Sequence, residues 1–422
     1  MTVQRITPDG IIPAGNDLAP IIDSLQRCRE RIADVPINRL LDLLDDFARR
    51  LLRDSRTAGL EGAMFLGAWL RKANLRQMLE LNLGGNTAAL DGFVPQGRNH
   101  IAAKPHGLVS MWMAGNVATL PMFSLVPALL AKNVCLVKLA LPEANGMDRL
   151  LAVLAESESE DITGRELLDA MAVVWFDFRD KKLNDQMSLA ADAKLVWGGA
   201  EAVRAISLLP RREHCIEIVF GPKYSIGLIG KATLESDKLD AVVDGFVRDV
   251  AIFDQRACSA PQTIFVERNS RRSLEAVGRL FAERLSRLPP KPELDAYTTG
   301  RILQVRAEWA IDESKDVIAS ADGANWTVLL DREPTLKEAV QSRTIFLSEV
   351  DSWREVVPLL SPKVQTVGLA LGGIDDSLAF AESATRAGVA RCVRPGIMNN
   401  YESPWDGKLL VGELVRWVVL KP

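Results

Sequence analysis

Five short runs between residues 107 and 220 are apolar nearly throughout, and helical spacing separates each from the next. They are GLVSMWM (107–113), NVCLVKLAL (133–141), AVVWFDF (172–178), KLVWGG (194–199) and CIEIVF (215–220). Helices are expected near 119–131, 145–156 and 180–190, with a short one beginning AEAVRAI. A strand with one wet face alternates apolar and polar residues, whereas a strand apolar throughout is covered on both faces. The pattern therefore predicts a parallel sheet between two helical layers.

The alternation restarts after KYSIGLIG (223–230). A helix near 236–251, strand TIFVE (263–267) and a helix over 271–287 follow. A break at LPPKPE (288–293) then leads to a long helical stretch ending near 315. Strands WTVLLD (326–331), RTIFLSEV (343–350) and VQTVGLAL (364–371) come last. This is a second α/β unit, with a hinge near 219–231. Residues 18–83 read as a helical layer, with apolar helical spacing in INRLLDLLDDFARRLLRD and Pro36 at a first turn.

At 422 residues the chain is long for one simple core, which implies two domains or one elaborated domain. The net charge of −4 is spread along the chain, with no basic block for nucleic acid and no basic amphipathic tail for a membrane surface. The start, MTVQRITPDG, has no apolar leader core. Cysteines 28, 135, 215, 258 and 392 are scattered, with no CxxC pair, which points to a reduced cytoplasmic protein without a zinc site. Residues 105–131 lack Asp, Glu, Lys and Arg, but Gly115, Asn116, Pro121 and Pro127 break them, so a buried strand, turn and helix is expected rather than a membrane span. AESESED (155–161) is read as a solvated helix end.

There is no GxGxxG after a strand, no P-loop, no HExxH and no GxSxG. Chemistry must come from other pieces. Cys258, in FDQRACSAPQ (253–262), has polar and charged neighbours unlike those of a core strand. A thiol in a loop between helix and strand, with Arg256 close in sequence, suits a thiolate nucleophile; the competing reading is a small inert packing residue. Asn116, in WMAGNVATLP (112–121), stands where a strand turns into a helix. It is either ordinary turn chemistry or an amide donor for an oxyanion at the C-terminal edge of the sheet. Lys138, late in an apolar strand, is expected to emerge at that same edge, to hold a ribose or phosphate or to reach solvent. Gly198 and Gly199 open a turn into a helix whose N-terminus can face an anion, or which is a plain connection. His100, His106 and His214 have no metal-ligand spacing; His214 is a base only if it faces Cys258.

Taken in order, these pieces resemble the aldehyde dehydrogenase superfamily, and within it the LuxC-like acyl-CoA reductases, over about residues 100–410. The resemblance implies two doubly wound parallel-sheet α/β domains with an N-terminal helical layer and the active site at their junction. Residues 1–219 would form the cofactor domain, 220–397 the catalytic domain, and 398–422 a segment returning to the cofactor domain or to a subunit interface. FDQRACSAPQ matches the nucleophile loop, making Cys258 catalytic. Asn116 falls at the oxyanion asparagine. Lys138 falls at the lysine that contacts the cofactor ribose, and Trp112, Gly198 and Gly199 complete the cofactor set. AGVARCVRP…SPWDG (387–407) resembles the closing segment of the catalytic domain.

Three departures bear on the reaction. The place of the general-base glutamate of hydrolytic relatives falls near Val219, leaving Glu217, on the same strand face, as the substitute. Leu141 replaces the acid that repels a 2′-phosphate, which permits NADPH, with NADH as the other option. The late Glu-x-Phe cofactor motif has no clear equivalent. The implied activity is NAD(P)H-dependent reduction of an acyl thioester to an aldehyde through a Cys258 acyl-enzyme. The donor would be acyl-CoA, an acyl carrier or an acyl-protein synthetase partner, and the enzyme a homo-oligomer. A cysteine thioesterase or acyltransferase using His214, and a non-catalytic nucleotide-binding scaffold, are the competing functions. The apolar tail KLLVGELVRWVVLKP (408–422) is expected to pair either with another subunit or on its own chain.

Overall fold

A computed structural model describes residues 2–422 except 142, 144, 145, 270, 292 and 293. Two compact units divide the chain: one comprises residues up to Gly221 together with Tyr401–Pro422, the other Pro222–Asn400.

The first unit is built on a seven-stranded sheet. Strands β1 (Gln4–Thr7) and β2 (Gly10–Pro13) form a hairpin. Strands β3 (Val94–Gln96) and β4 (Asn99–Pro105) belong to a separate small sheet. Strands β5 (Leu108–Trp112), β6 (Val134–Lys138), β7 (Met171–Trp175), β8 (Ala193–Trp197) and β9 (Ile216–Phe220) are mutually parallel. The order across the main sheet is β2-β1-β7-β6-β5-β8-β9, with the hairpin added antiparallel to β7. Chain order runs outward from β5 through β6 to β7, then returns to the other side of β5 with β8 and β9. That reversal places a topological switch point at the C-terminal ends of β5 and β8, where ligands bind in open parallel sheets.

The chargeless stretch resolves as expected into β5 and the helix Leu120–Leu130, eleven residues long and buried except at Leu120. Among the described residues no helix is long and apolar enough to cross a membrane. The N-terminal layer holds helices Ala19–Arg27, Arg29–Asp34, Ile37–Leu51, Ala63–Trp69 and Lys72–Asn82. Ile37, Leu40, Leu41, Leu44, Phe47, Ala48 and Leu51 repeat at helical spacing and bury one face. Pro36 sits one residue before the expected first turn, at the N-cap, where its fixed φ and missing N–H cost nothing. The helix expected from residue 145, which lies outside the described residues, runs Met147–Ala155. The charge run after it is not merely solvated: Glu156 pairs with Arg56, and Glu160 and Asp161 with Arg39, tying it to the helical layer.

The C-terminal strand Val415–Leu420 pairs antiparallel with β4 of its own chain, forming one edge of the three-stranded sheet.

The second unit carries β10 (Tyr224–Ile229), β11 (Pro261–Glu267), β12 (Lys315–Ala319), β13 (Thr327–Asp331), β14 (Thr344–Val350), β15 (Val364–Ala370) and β16 (Arg391–Val393). Their order is β12-β13-β14-β11-β10-β15-β16, all parallel except β12. Here the helical reading overran. The helix ends at Ile311, and KDVIA is an edge strand antiparallel to β13. The break read at 288–293 includes 292 and 293, outside the described residues.

Two glycines seat the helix Leu239–Ala251 on this sheet. Gly227 of β10 and Gly368 of β15 are register partners. A Cβ on either would lie 2.6 Å from Cε1 of the fully buried Phe246, and one on Gly227 also 2.9 Å from Ile264. The missing side chains make the hollow that the ring fills. Gly227→Ala is expected to destabilise the protein by about 1–3 kcal/mol through overpacking, read as a lower urea midpoint with an unchanged slope. An unchanged midpoint would mean that Phe246 has room to shift.

Candidate active site

In the first unit the predicted residues converge on the C-terminal edge of the parallel strands. β5 ends at Trp112, and its pairing with β6 continues one residue further, where Met113 N–H donates to the Lys138 carbonyl (3.0 Å). The turn to the helix Leu120–Leu130 holds Asn116, half-buried. Gly115 lets this turn pack on the loop after β6: a Cβ there would be 3.1 Å from Leu141 and 3.2 Å from Ala140.

Lys138 closes β6. It reaches the expected edge but does not extend into solvent; it is 6% exposed. Burial pushes its ammonium down to about 8, only partly opposed by the Asp177 carboxylate. Its Nζ lies 4.9 Å from the centre of the Phe176 ring and donates to the Leu139 carbonyl (3.3 Å). A buried cation of this kind is costly unless an anion or polar ligand completes it.

Gly198 and Gly199 follow β8. Gly199 caps the helix Ala200–Ser207 with no side-chain hydrogen bond, and a Cβ built on it meets nothing within 4 Å. The N-terminus of that helix follows β8, beside the switch point, a position that suits a phosphate. Leu141 is 45% exposed beside this edge, and as an apolar residue it presents no charge to a 2′-phosphate. These features fit a phosphorylated dinucleotide. Trp112 is buried, as Lys138 is, and its indole N–H donates to Asn184 (3.0 Å). Asn184 in turn donates to the Phe178 and Asp180 carbonyls. Trp112 therefore braces the loop after β7.

The candidate bases are held elsewhere. His214 is exposed, 4.0 Å from Asp192. Asp192 accepts from Leu108 N–H at the start of β5, so His214 lies at the N-terminal edge of this sheet, opposite Asn116. Glu217 is engaged by the Ser207 hydroxyl and by Arg211.

In the second unit Cys258 lies in the loop leading into β11, at the N-terminal edge of the parallel strands. It is partly exposed between buried Ala257 and Ser259. The loop is held by its backbone and its neighbours. The Ser225 hydroxyl donates to the Cys258 carbonyl (2.7 Å) and accepts from Thr366 N–H (3.2 Å). Phe253, Asp254 and Gln255 all have positive φ (59°, 44° and 61°), as do Gln341, Ser342 and Arg343. Non-glycine residues reach this region at a cost, and runs of them persist only where the surroundings enforce them. Here the two triplets enforce each other: Ser342 N–H donates to the Asp254 carbonyl (2.9 Å) and Arg343 pairs with the Asp254 carboxylate (2.8 Å). Buried Gln255 accepts from Thr344 N–H (2.7 Å) and donates to the Thr344 and Pro261 carbonyls. Arg256, one possible source of thiolate stabilisation, is exposed and donates from Nε to the Phe253 carbonyl (3.2 Å).

Three of the other cysteines are less suited to nucleophilic chemistry. Burial raises Cys135, Cys215 and Cys392, the last to about 11, keeping them as thiols. No cysteine forms a disulfide, and no cluster among the described residues could hold a metal ion. The clamp residues around Cys258 escaped the sequence reading. Gln255 showed only as a polar flank, and left-handed backbone at non-glycine residues leaves no pattern in a sequence.

Comparison with solved structures defines the class. The chain superposes over its full length on an aldehyde dehydrogenase from Brucella melitensis biovar abortus 2308 (TM-score 0.71, 13% identity, 93% of that chain). It covers 99% of itself on an NADP-dependent glyceraldehyde-3-phosphate dehydrogenase from Bacillus halodurans solved with NADP (TM-score 0.70, 14% identity, 95% of that chain). The fold is that of the aldehyde dehydrogenases.

Sequence comparison narrows this. Residues 14–417 match the family described as acyl-CoA reductase (LuxC), and the chain belongs to that family. It is 23% identical over 397 residues to the long-chain acyl-protein thioester reductase of Aliivibrio fischeri (91% of this chain, 78% of the relative). It is 22% identical over 409 residues to long-chain acyl-protein thioester reductase 2 of Photobacterium leiognathi (94% and 81%). The protein is thus an oxidoreductase that reduces an acyl thioester to an aldehyde with a nicotinamide cofactor.

Proposed function

We propose that the chain reduces acyl-CoA, or an acyl group carried as a protein thioester, through an acyl-enzyme on Cys258. The observation that carries this reading is the loop itself: a partly exposed cysteine held between buried neighbours by Ser225 and by the paired left-handed triplets. The Cys258 thiolate attacks the thioester carbonyl, and the side-chain amide of Asn116 and the Cys258 backbone N–H donate to the oxyanion. The bond to the donor sulfur breaks, and the departing thiolate takes up a proton. A reduced nicotinamide, when bound, supplies a hydride to the carbonyl carbon of the Cys258 thioester. Cleavage of the carbon–sulfur bond then releases the aldehyde and restores the thiolate. The sum is acyl thioester, NAD(P)H and a proton giving aldehyde, free thiol and NAD(P)⁺.

Lys138, Gly198 and Gly199 would hold the cofactor's ribose and phosphates, with the first unit as the cofactor domain and the second as the nucleophile domain. The uncharged Leu141 and the buried Lys138 support NADPH over NADH. The names of the relatives support a protein-bound long-chain acyl donor, which a synthetase partner would load. Exposed Trp417, Val419 and Leu420 on the outer edge strand support association into a homo-oligomer. Five cysteines that form no disulfide accord with a cytoplasmic enzyme.

The test is to follow nicotinamide oxidation and thiol release together, with NADPH and then NADH, against acyl-CoAs from acetyl to palmitoyl and an acyl-carrier thioester. Coupled loss of both with an aldehyde product is expected. Thiol release without cofactor oxidation would instead mark an acyltransferase or thioesterase.

The lowered Lys138 gives a pH prediction. A lysine depressed to about 8 is charged below that pH and neutral above it. A bound 2′-phosphate favours the charged form, so NADPH binding must weaken as pH rises through 8. In the Cys258→Ala background, which removes thiol titration, the NADPH dissociation constant should rise about tenfold from about pH 7 to about pH 9. Lys138→Met should bind weakly at both pH values. A flat wild-type profile would remove Lys138 from the phosphate contact.

A further inference from the structure

The residue after Cys258 is tied to a buried polar chain that the acyl-transfer scheme above does not use. Ser259 is 3% exposed, and its hydroxyl donates to Oδ1 of Asn399 (2.8 Å), itself 7% exposed. The other end of that amide, Nδ2, donates to the backbone carbonyl of Asp249 (2.7 Å), near the end of the helix Leu239–Ala251. The Asp249 side chain, fully buried, accepts from Gly396 N–H (2.6 Å) and Met398 N–H (3.1 Å). Arg391 closes the segment from the other side, donating to the carbonyls of Met398 (2.9 Å), Ile397 (3.3 Å) and Asn400 (2.9 Å). Gly245 makes the close approach possible: a Cβ there would fall 2.8 Å from the Pro395 carbonyl carbon.

Every polar atom of the Asn399 side chain thus has an assigned task. The amide is fixed from both ends, and the segment that carries it is fixed by Asp249 and Arg391. Toward the nucleophile it accepts from the Ser259 hydroxyl, one residue from Cys258. A buried carboxyl with two backbone donors is a costly construction; desolvation raises Asp249 to about 6 despite both N–H bonds and the nearby Arg248 and Arg391. An apolar contact would pack the helix against the segment at less cost. What the polar chain adds is direction, because hydrogen bonds fix orientation where apolar contacts do not.

We infer that Asn399 is a positioning residue: through Ser259 it sets the direction in which the Cys258 thiol and backbone N–H point during acyl transfer. The inference rests on Cys258 being the nucleophile. Loss of the bond leaves the thiol present and ionisable but misdirected, and a displacement of about 1 Å at a reacting atom costs on the order of 10²-fold in rate.

The experiment compares Ser259→Ala and Asn399→Ala with wild type and with Cys258→Ala. Three quantities are read: kcat and KM for acyl-CoA reduction per folded molecule, the single-turnover rate of Cys258 acylation, and the pH profile of Cys258 alkylation by iodoacetamide. Both variants are expected to acylate about 10–100-fold more slowly, with both KM values within about threefold of wild type. The small reagent needs no particular approach, so the alkylation profile should keep its midpoint. Wild-type acylation rates in the folded variants, with only a lower unfolding midpoint, would overturn the inference and leave a structural bond. If Asn399→Ala does not fold, Ser259→Ala decides, since it keeps the Asn399–Asp249 bond. If Cys258→Ala retains activity, the nucleophile assignment falls first. If Cys258→Ala is inactive while Ser259→Ala acylates normally, only the role of Asn399 falls.

Discussion

Cys258→Ala is expected to lose acyl-thioester reduction by about 10⁴-fold or more while binding the nicotinamide cofactor as tightly as wild type. The magnitude follows from the route. Without the thiol no covalent acyl-enzyme forms, and hydride transfer has no thioester held in place to act on. The fold should not suffer. The thiol is partly exposed, and the bond from the Ser225 hydroxyl to residue 258 goes to a backbone carbonyl that alanine keeps. The unfolding midpoint should therefore stay within experimental scatter. A large loss of activity with an intact fold separates nucleophile from packing residue. Cys392→Ala is the control: its thiol, pushed up to about 11 by burial, is not expected to affect turnover.

Asn116→Ala is expected to lower kcat by about 10²–10³-fold, with KM for the acyl thioester little changed. The amide N–H donates most strongly when charge collects on the carbonyl oxygen, so its loss is felt in the transition state rather than in the bound substrate. Asn116→Asp should be worse, since a carboxylate sets negative charge against the developing oxyanion. Asn116 lies half-buried in a turn, and asparagine is also an ordinary turn residue. If it serves only the turn, Asn116→Ala will lower the unfolding midpoint and leave kcat intact. The ratio of the two effects decides between the roles.

The parallel strands were legible because being covered on both faces leaves an unmistakable mark: MAVVW and AKLVW have no room for alternation, and the residues that break them end the strands. The hairpin of β1 and β2 left no such mark. QRIT and GIIP are short and mixed; QRIT is made a strand by pairing with β7, some 170 residues away, and GIIP by pairing with QRIT. KDVIA, just past the expected helix end near 315, went unread for the same reason: it is an edge strand, half-exposed, defined by its register with β13. The tail VRWVVL was visibly β-prone, but only the fold shows that its partner is β4.

In the site, the residues with chemical character stood out in the sequence, while those that hold them did not. Lys138 was marked by a charge in an apolar run; the sequence left a cofactor contact and an escape to solvent both open, and the structure buries it. Asp249 and Asn399 act through backbone groups brought together from points 150 residues apart, and no local pattern announces that. Trp112 entered the cofactor set only through the resemblance; no sequence pattern showed that its indole N–H donates to Asn184.

The most direct measurement is of the covalent intermediate. Wild-type protein mixed with an acyl-CoA in the absence of any nicotinamide is digested and its peptides are weighed. The account predicts an acyl group on the peptide containing Cys258 and on no other cysteine. It should persist in water, and should discharge as aldehyde when NADPH is added. An acyl group on a different residue, or an aldehyde formed at the wild-type rate with Cys258 unmodified throughout, would contradict it.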